Sequence, residues 1–237
     1  MGSPPVLFIP GTLCTRAIFE TLAGEFTRLA PSVDVVQFAL EDSISEMADA
    51  AIKKISIQDG AAIVGFSMGG MVAMEIVRKA PQRVRKLALL NSNYHCDLPE
   101  RRSGRLAHLE QARTQGMEHV IRTYFLDRYL YRVDPENGDL IVKMACELGI
   151  GCFEAQVKAL TSRPDSSSTL KTIECPTLVL GAMQDELCPA DVQQRMHRLI
   201  GHSELVMLED CGHFSMLEKP DRVKQVLRNW YLSGQSR

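Results

Sequence analysis

The chain reads AAIVGFSMGG over residues 61–70, and this stretch decides which fold and which chemistry the sequence can support. A short apolar run precedes the motif GFSMG, and a segment with helical spacing follows at 71–80. A strand, a G-x-S-x-G turn and a helix in this order predict a nucleophile elbow, a strained turn that exposes its serine hydroxyl. Gly65 and Gly69 provide the small residues that the turn requires on either side of Ser67.

Length and composition predict one globular domain, or a core with an inserted lobe. The 237 residues are 45% hydrophobic and 24% charged, which is ordinary for a globular protein. A net charge of −2 disfavours a general nucleic-acid surface. Because no apolar run approaches the roughly 20 residues that cross a bilayer, a membrane partner is not expected either.

The cysteines are seven in number, widely spaced and without a C-x-x-C motif. This spacing predicts reduced thiols, mostly buried as small apolar residues, in a cytoplasmic protein. A zinc site would need clustered cysteines and histidines, so we expect neither a metal nor a cofactor. The sequence does not indicate an oligomeric state.

Short apolar runs alternate with amphipathic segments along most of the chain. The predicted strands are 5–9, 33–38, 61–64, 84–91, 177–181 and 204–208. The predicted helices between and after them are 16–29, 43–57, 71–80, 189–200 and 215–232. This alternation indicates an α/β protein with a doubly wound parallel sheet, covered by helices on both faces. Ligands bind such sheets beyond the carboxyl ends of the strands, so functional residues should directly follow strands.

One segment, 97–162, interrupts the alternation because it contains helical patterns and no good strand. Its predicted helical pieces are 98–115, 117–131, 136–148 and 150–162. We expect this segment to be a helical cap, or lid, inserted between two strands of the sheet. The predicted hydrolase-type core then consists of residues 1–96 and 163–237.

A serine hydroxyl needs a general base, and the best candidate is His213. It lies in the loop EDCGHF, directly after the last predicted strand. The remaining histidines lie in or beside predicted helices, and only His95, near the entrance of the cap, is kept as a reserve. The sequence therefore predicts that His213 activates Ser67.

The acid that orients this base is predicted to be Asp185, three loop residues after the strand TLVLG. Glu186 and Asp191 lie close to it, and Asp210 is near His213, where a cap or a loop brace is the more ordinary role. The loop after the preceding strand offers NSN at 91–93 and no carboxylate, which strengthens Asp185.

Backbone amides should form the oxyanion hole. The first is that of Met68, at the start of the helix behind the nucleophile. The second should come from the loop after the first strand, where we choose Thr12 with Leu13 as the alternative. Each such donor is worth about 3–4 kcal/mol of transition-state stabilisation.

The order serine, aspartate, histidine is that of an α/β-hydrolase. The stretches FIPGT, VGFSMGGMVAMEIVRKAPQRVRKLALLNS, CPTLVLGAMQDELCP and LEDCGHFSMLEKPDRV resemble this superfamily over nearly the whole chain. Within it, the chain resembles small bacterial esterases and lactonases with a helical cap. Pimeloyl carrier-protein methyl-ester esterases and 3-oxoadipate enol-lactonases are relatives of that kind.

The resemblance also implies a sheet order, with two departures from the usual pattern. Many relatives have His-Gly where this chain has Pro10-Gly11, which affects the loop of the oxyanion hole. Relatives usually carry two antiparallel strands before the first strand seen here, whereas this chain enters that strand at Val6. We therefore predict a six-stranded, all-parallel sheet in the order 2-1-3-4-5-6, without those N-terminal antiparallel strands.

A serine nucleophile indicates hydrolysis of a carboxylic ester, thioester, lactone or amide through an acyl-enzyme. The same triad could serve an acyltransferase or a haloperoxidase-like enzyme, and a non-catalytic small-molecule receptor could retain it. The substrate should be a medium-sized apolar ester or lactone. The candidate residues for contact with the substrate are Leu13, Phe66, Tyr124, Phe125, Tyr129 and Phe153. Because the predicted cap is rich in arginine, an acyl group bound to a carrier protein is a further candidate partner.

Overall fold

A computed structural model describes residues 3–234, and its centre is a six-stranded sheet. The strands are β1 Val6–Ile9, β2 Val33–Val35, β3 Ala61–Phe66, β4 Val84–Leu90, β5 Thr177–Ala182 and β6 Glu204–Leu208. Their spatial order is β2-β1-β3-β4-β5-β6. All strand pairs within the described residues are parallel, which confirms the predicted sheet.

Helices connect these strands and cover the sheet. They are α1 Glu20–Phe26, α2 Ile44–Ile52, α3 Met68–Lys79, α4 Pro99–Gln115, α5 Met117–Val120, α6 Leu126–Tyr129, α7 Pro135–Ser162, α8 Ser167–Leu170, α9 Ala190–Leu199, α10 Ser215–Glu218 and α11 Pro220–Leu232. The side chain of Ser43 caps α2 by accepting from the amide of Glu46, and a serine three residues before a glutamate is the pattern of a capping box. Within residues 3–234, no helix is both long and apolar enough to cross a bilayer.

Residues that alternate along β3 belong to two hydrophobic clusters, one on each face of the sheet. Val64 and Phe66 face the cluster that includes α1 and α11, whereas Ala61 and Ile63 face the cluster that includes α2, α3 and α9. A strand buried on both faces must be apolar throughout, which explains why β3 is a continuous apolar run.

Residues 97–162 lie between β4 and β5 and contain helices α4 to α7. Ile121–Phe125 forms a π-helical turn between α5 and α6, and Gly149, at φ 72°, breaks α7 into two halves. The first half of α7 packs into one hydrophobic cluster through Ile141, and the second half reaches the other through Leu160. The predicted core segments also include residues 1–2 and 235–237, which lie outside the described residues.

Candidate active site

Ser67 occupies a strained turn between β3 and α3. Its backbone has φ 52° and ψ −116°, a conformation that L-residues adopt at a cost of about 1–3 kcal/mol. A Cβ on Gly65 would lie 2.5 Å from the carbonyl oxygen of Gly69, and a Cβ on Gly69 would lie 2.0 Å from that of Ile9. These close approaches explain why both positions flanking the serine are glycine.

The loop after β4 braces this turn from the side. The hydroxyl of Ser92 donates to the carbonyl oxygen of Ser67 at 2.8 Å. A Cβ on Gly70 would lie 2.3 Å from that hydroxyl, so the glycine makes room for the brace. Gln193 of α9 in turn donates to the carbonyl oxygen of Ser92 at 2.7 Å. The turn at Ser67 is thereby connected, through Ser92, to helix α9.

Ser67, His213 and Asp185 form one hydrogen-bonded line. The Nε2 of His213 lies 2.9 Å from the Oγ of Ser67, and its Nδ1 lies 2.8 Å from the Oδ2 of Asp185. His213 and Asp185 are each only 3% exposed, so the line is shielded from water except at its serine end. The structure thus brings together the three residues that the sequence selected from loops after β3, β5 and β6.

Four donors converge on the carboxylate of Asp185. Its Oδ1 accepts the amides of Leu187 and Cys188, both at 2.9 Å, and its Oδ2 also accepts the Nδ2 of Asn91 at 3.0 Å. Burial by itself would raise the pKa of Asp185. The charge and hydrogen bond of His213, with the donors at Cys188 and Asn91, outweigh burial and lower that pKa. The carboxylate therefore stays ionised at neutral pH.

Asn91 also belongs to this site, although the sequence alone indicated only that its loop contains no carboxylate. It sits directly after β4 in a left-handed conformation, at φ 45°. Its Oδ1 accepts the hydroxyl of Ser215 at 2.6 Å, which fixes the amide so that Nδ2 faces Asp185. A polar residue at the end of a central strand was the available signal, because the strand ends of a parallel sheet share one edge.

The loop that carries His213 is fixed by the end of α6 and by α10. The amides of His213 and Phe214 both donate to the carbonyl oxygen of Tyr129, at 2.9 and 3.2 Å. Glu218 accepts the amide of Gly212 on one carboxylate oxygen and that of Tyr131 on the other, at 2.9 and 2.8 Å. The end of α6 and the chain directly after it therefore hold the loop that positions the imidazole.

The loop after β1 lies beside the start of α3. The hydroxyl of Thr12 lies 3.7 Å from the sulfur of Met68, so the two predicted oxyanion residues are neighbours. Within residues 3–234, the amide N–H groups of Thr12 and Met68 have no acceptor. The amide of Leu13, in contrast, donates to the Oε1 of Gln156 at 2.8 Å. Of the two candidates, Thr12 therefore has a free amide N–H among the described residues, and Leu13 does not.

Gln156, in the second half of α7, is another residue that sequence reasoning missed. Its side chain is 2% exposed, and its Nε2 contacts the sulfur of Cys152, one helical turn earlier, at 3.2 Å. The Oε1 is thereby aimed at Leu13, whose left-handed backbone, at φ 56°, turns its N–H towards α7. A buried glutamine on a helix was the available signal, but its partner could not be read from the sequence.

A cavity of about 330 Å³ opens onto Ser67. Four of the predicted contacts line it, namely Phe66, Phe125, Tyr129 and Phe153. The volume is in the range of small-molecule sites. The remainder of the wall includes charged residues that the prediction did not contain, which are Glu100, Arg101, Arg105, Arg128 and Arg163.

The other two predicted contacts lie outside the cavity wall. Leu13 is 3% exposed and packs in the core cluster around α1. Tyr124 turns towards α4, where its hydroxyl accepts from Gln111 at 3.1 Å and its ring lies 5.3 Å from that of His108. Helical periodicity can indicate the inward face of a helix, but it does not say which neighbour a side chain such as Tyr124 meets.

Three of the alternative acid and base candidates are engaged elsewhere. His95 stacks on Tyr94 and pairs with Asp165 at 3.6 Å. Asp191 pairs with Arg195 within α9, and Glu186 faces Arg128 at 3.8 Å.

Asp185, Cys188 and His213 place three potential metal-ligand atoms within 4.8 Å of one another. Burial and the charge of Asp185 raise the pKa of the Cys188 thiol well above its ordinary value. A thiol that stays protonated is a poor metal ligand, since the thiolate is the form that binds. The other two side chains are already hydrogen-bonded to each other, so this set fits a metal ion poorly.

Comparison with known proteins assigns the family. A model of the alpha/beta hydrolase family matches residues 6–226. The chain belongs to the alpha/beta hydrolase family. Family membership and its esterase relatives make it a hydrolase.

Among similar proteins, this alpha/beta hydrolase is 24% identical over 254 residues to an abhydrolase domain-containing protein of Schizosaccharomyces pombe, covering 96% of the chain and 92% of the relative. It is 27% identical over 241 residues to a pimeloyl-[acyl-carrier protein] methyl ester esterase of Neisseria meningitidis. That match covers 95% of this chain and 76% of the relative. The solved structure of a thermophilic esterase from Thermogutta terrifontis superposes with a TM-score of 0.85 at 26% identity. The superposition covers 97% of this chain and 89% of the esterase.

Proposed function

We propose that this alpha/beta hydrolase cleaves a carboxylic ester, a thioester or a lactone through an acyl-enzyme on Ser67. The observation that carries the proposal is the unbroken line from the Oγ of Ser67 through His213 to the buried Asp185, with hydrogen bonds of 2.9 and 2.8 Å. A serine, a base within hydrogen-bond reach and an acid that orients the base are the parts that nucleophilic acyl transfer needs.

In the first half of the proposed reaction, the Oγ of Ser67 attacks the carbonyl carbon and its proton passes to the Nε2 of His213. The carbonyl oxygen becomes an oxyanion, which the amides of Thr12 and Met68 stabilise. His213 then gives the proton to the leaving oxygen or sulfur as its bond to the carbonyl carbon breaks. Asp185 keeps the proton of the imidazole on Nδ1 and stabilises the imidazolium.

In the second half, water enters and attacks the acyl-enzyme. His213 takes a proton from that water, and the same two amides hold the second oxyanion. The bond to Ser67 then breaks, the serine recovers its proton and the carboxylic acid leaves.

Helices α4 to α7 act as a cap over this site, and residues 97–162 form that unit. Support comes from the cavity wall, which combines Ser67 and His213 from the sheet edge with Phe125 and Phe153 from the insertion. We also propose a cytoplasmic location. All seven cysteines are free thiols, and four of them are buried, which suits a reducing compartment.

The test is hydrolysis of short-chain esters by the wild type and by Ser67→Ala. We expect Ser67→Ala to lower kcat by at least about a thousandfold, because the nucleophile is lost while the fold remains. Circular dichroism should confirm an unchanged fold. Ser67→Ala protein that retains wild-type turnover would overturn the proposal. Faster reaction when an alcohol or thiol acceptor is added would indicate an acyltransferase, and covalent labelling by a fluorophosphonate without turnover of any ester would indicate a receptor.

A further inference from the structure

The wall of the cavity is unexpectedly basic. Four arginines line it, Arg101, Arg105, Arg128 and Arg163, whereas Glu100 is the only acidic residue among the described lining residues. An apolar substrate would gain nothing from four guanidinium groups, whose desolvation is costly. We therefore expect each guanidinium group to have an anionic partner, either in the cavity or behind its wall.

Behind the wall, one carboxylate serves two of the arginines. Asp97, with a side chain 2% exposed, accepts from Arg163 at 2.8 Å and from Arg105 at 3.3 Å. Arg163 is 3% exposed and also donates to backbone carbonyl oxygens, so it is fully engaged. Arg105 is 27% exposed, and its contacts with the shared carboxylate are long, at 3.3 and 3.4 Å.

Among the described residues, Arg101 is the arginine of the wall that has no carboxylate partner. Its Nη1 donates to the carbonyl oxygen of Leu187 at 3.0 Å, and within the described chain no carboxylate lies in ion-pair range of it. The Nε of Arg128 lies 3.8 Å from Glu186, which is too far for a hydrogen bond. Burial, together with the charges of Arg128 and Arg105, lowers the pKa of His108 on the same wall, as expected in a positive potential.

We propose that the cavity binds substrates whose ester or lactone carries a carboxylate at a distance from the scissile bond, with Arg101 as its main ligand and Arg105 beside it. This proposal rests on the proposed hydrolase function and adds the chemical class of the substrate. A guanidinium presents a planar fork that matches the two oxygens of a carboxylate. The aromatic residues of the wall then contact the carbon chain between the two ends.

The experiment compares esters that differ only in one charge. On the acyl side, monomethyl adipate is compared with methyl hexanoate, in which a methyl group replaces the carboxylate. On the alcohol side, carboxymethyl hexanoate is compared with isobutyl hexanoate, in which an isopropyl group of similar shape replaces the carboxylate. For each pair, kcat/KM is measured with the wild type, Arg101→Gln and Arg102→Gln. Arg102 is the matched control because it is the next residue of α4, is exposed and does not line the cavity.

We expect the wild type to prefer the anionic ester in at least one pair. Arg101→Gln should lower that preference about tenfold, the loss that one charge-assisted hydrogen bond predicts, with the neutral ester affected less than about twofold. Arg102→Gln should leave the preference unchanged. An anionic-to-neutral ratio that Arg101→Gln leaves unchanged in both pairs would overturn the inference, while Ser67-dependent turnover would leave the hydrolase proposal intact.

A binding measurement separates this inference from catalysis. Ser67→Ala protein is titrated calorimetrically with monomethyl adipate and with carboxymethyl hexanoate, and both titrations are repeated with the Ser67→Ala/Arg101→Gln double variant. We expect the Kd of at least one of the two esters to rise about tenfold in the double variant. Kd values that are equal in the two variants for both esters would overturn the carboxylate site, whether or not the wild type hydrolyses any of the esters.

Discussion

At the scale of single residues, the site depends on how completely the carboxylate of Asp185 is satisfied. Backbone amides hold one oxygen, and His213 and Asn91 hold the other. Because each oxygen already receives two donors, the carboxylate cannot rotate without losing hydrogen bonds. The imidazole is thereby fixed in one orientation, and so is the nitrogen that faces Ser67.

Replacement of Asp185 by asparagine should lower kcat by about three to four orders of magnitude, because an amide cannot accept from all four donors or stabilise an imidazolium. Asp191→Asn is the matched control, since that carboxylate is 58% exposed and pairs only within α9. We expect the control to change kcat less than about twofold in the same ester assay. Loss of activity in both variants would contradict a specific role for Asp185.

The same carboxylate makes a stability contribution that depends on pH. Its folded-state pKa is lowered, so the folded protein binds its proton less readily than the unfolded chain does. The contribution is therefore complete above the ordinary carboxyl pKa of about 4, and it is lost as pH falls through the lowered value. In denaturant titrations, the stability advantage of the wild type over Asp185→Asn should shrink as the pH falls below about 4. An advantage that grows on acidification would contradict the lowered pKa.

At the scale of elements, α7 is coupled to the loop after β1. Gln156 accepts the amide of Leu13 and leaves the neighbouring amide of Thr12 free. The donor proposed to meet the oxyanion is thus positioned partly by a helix that lies far from it in sequence. The loop and this helix can move independently only if that buried hydrogen bond breaks.

Gln156→Leu should lower kcat about tenfold with little change in KM, because it removes the acceptor and leaves the buried amide of Leu13 unpaired, at a cost of about 1–3 kcal/mol. Steady-state kinetics with a neutral ester measures both constants. Gln115→Leu, an exposed glutamine at the end of α4, is the control and should leave kcat unchanged. A rise in KM with unchanged kcat would show that Gln156 shapes the substrate cavity instead.

The positions of helices and strands could be predicted from the sequence more completely than the contacts between them. The strands could be predicted because a strand covered on both faces must be a continuous apolar run, as Ala61–Phe66 is. Ser67, Asp185 and His213 could be selected because each lies in the loop that follows a predicted strand. Arg101 and Gln156 could not, since helical periodicity gives the inward face of a helix but not the neighbour it meets.

At the scale of the whole molecule, α7 connects the hydrophobic clusters on the two faces of the sheet. Its first half joins one cluster, and its second half contributes Phe153 to that same cluster and Leu160 to the other. Trp230 of α11, the only tryptophan in the chain, lies in the first of these clusters. Loss of α7 would therefore expose apolar surface on both faces of the sheet. Residues 97–162 and the rest of the described chain should therefore unfold together.

We expect far-ultraviolet circular dichroism, which reports all helices, and fluorescence of Trp230 to give the same denaturation midpoint. Leu160→Ala should lower the free energy of unfolding by about 2–5 kcal/mol and shift both midpoints equally, because Leu160 is 3% exposed. Leu106→Ala, at a side chain 53% exposed, is the control and should change stability by less than about 0.5 kcal/mol. Helix loss that precedes the fluorescence change would contradict joint unfolding.

The distribution of thiols makes it practical to observe movement in this protein. Only Cys96, just before α4, and Cys146, in the first half of α7, are exposed, while Cys175 is partly covered and the other four are buried. Maleimide dyes should therefore react first at these two native positions, without any engineered cysteine. Energy transfer between the two dyes would follow, in single molecules, whether the insertion bends at Gly149 during each turnover.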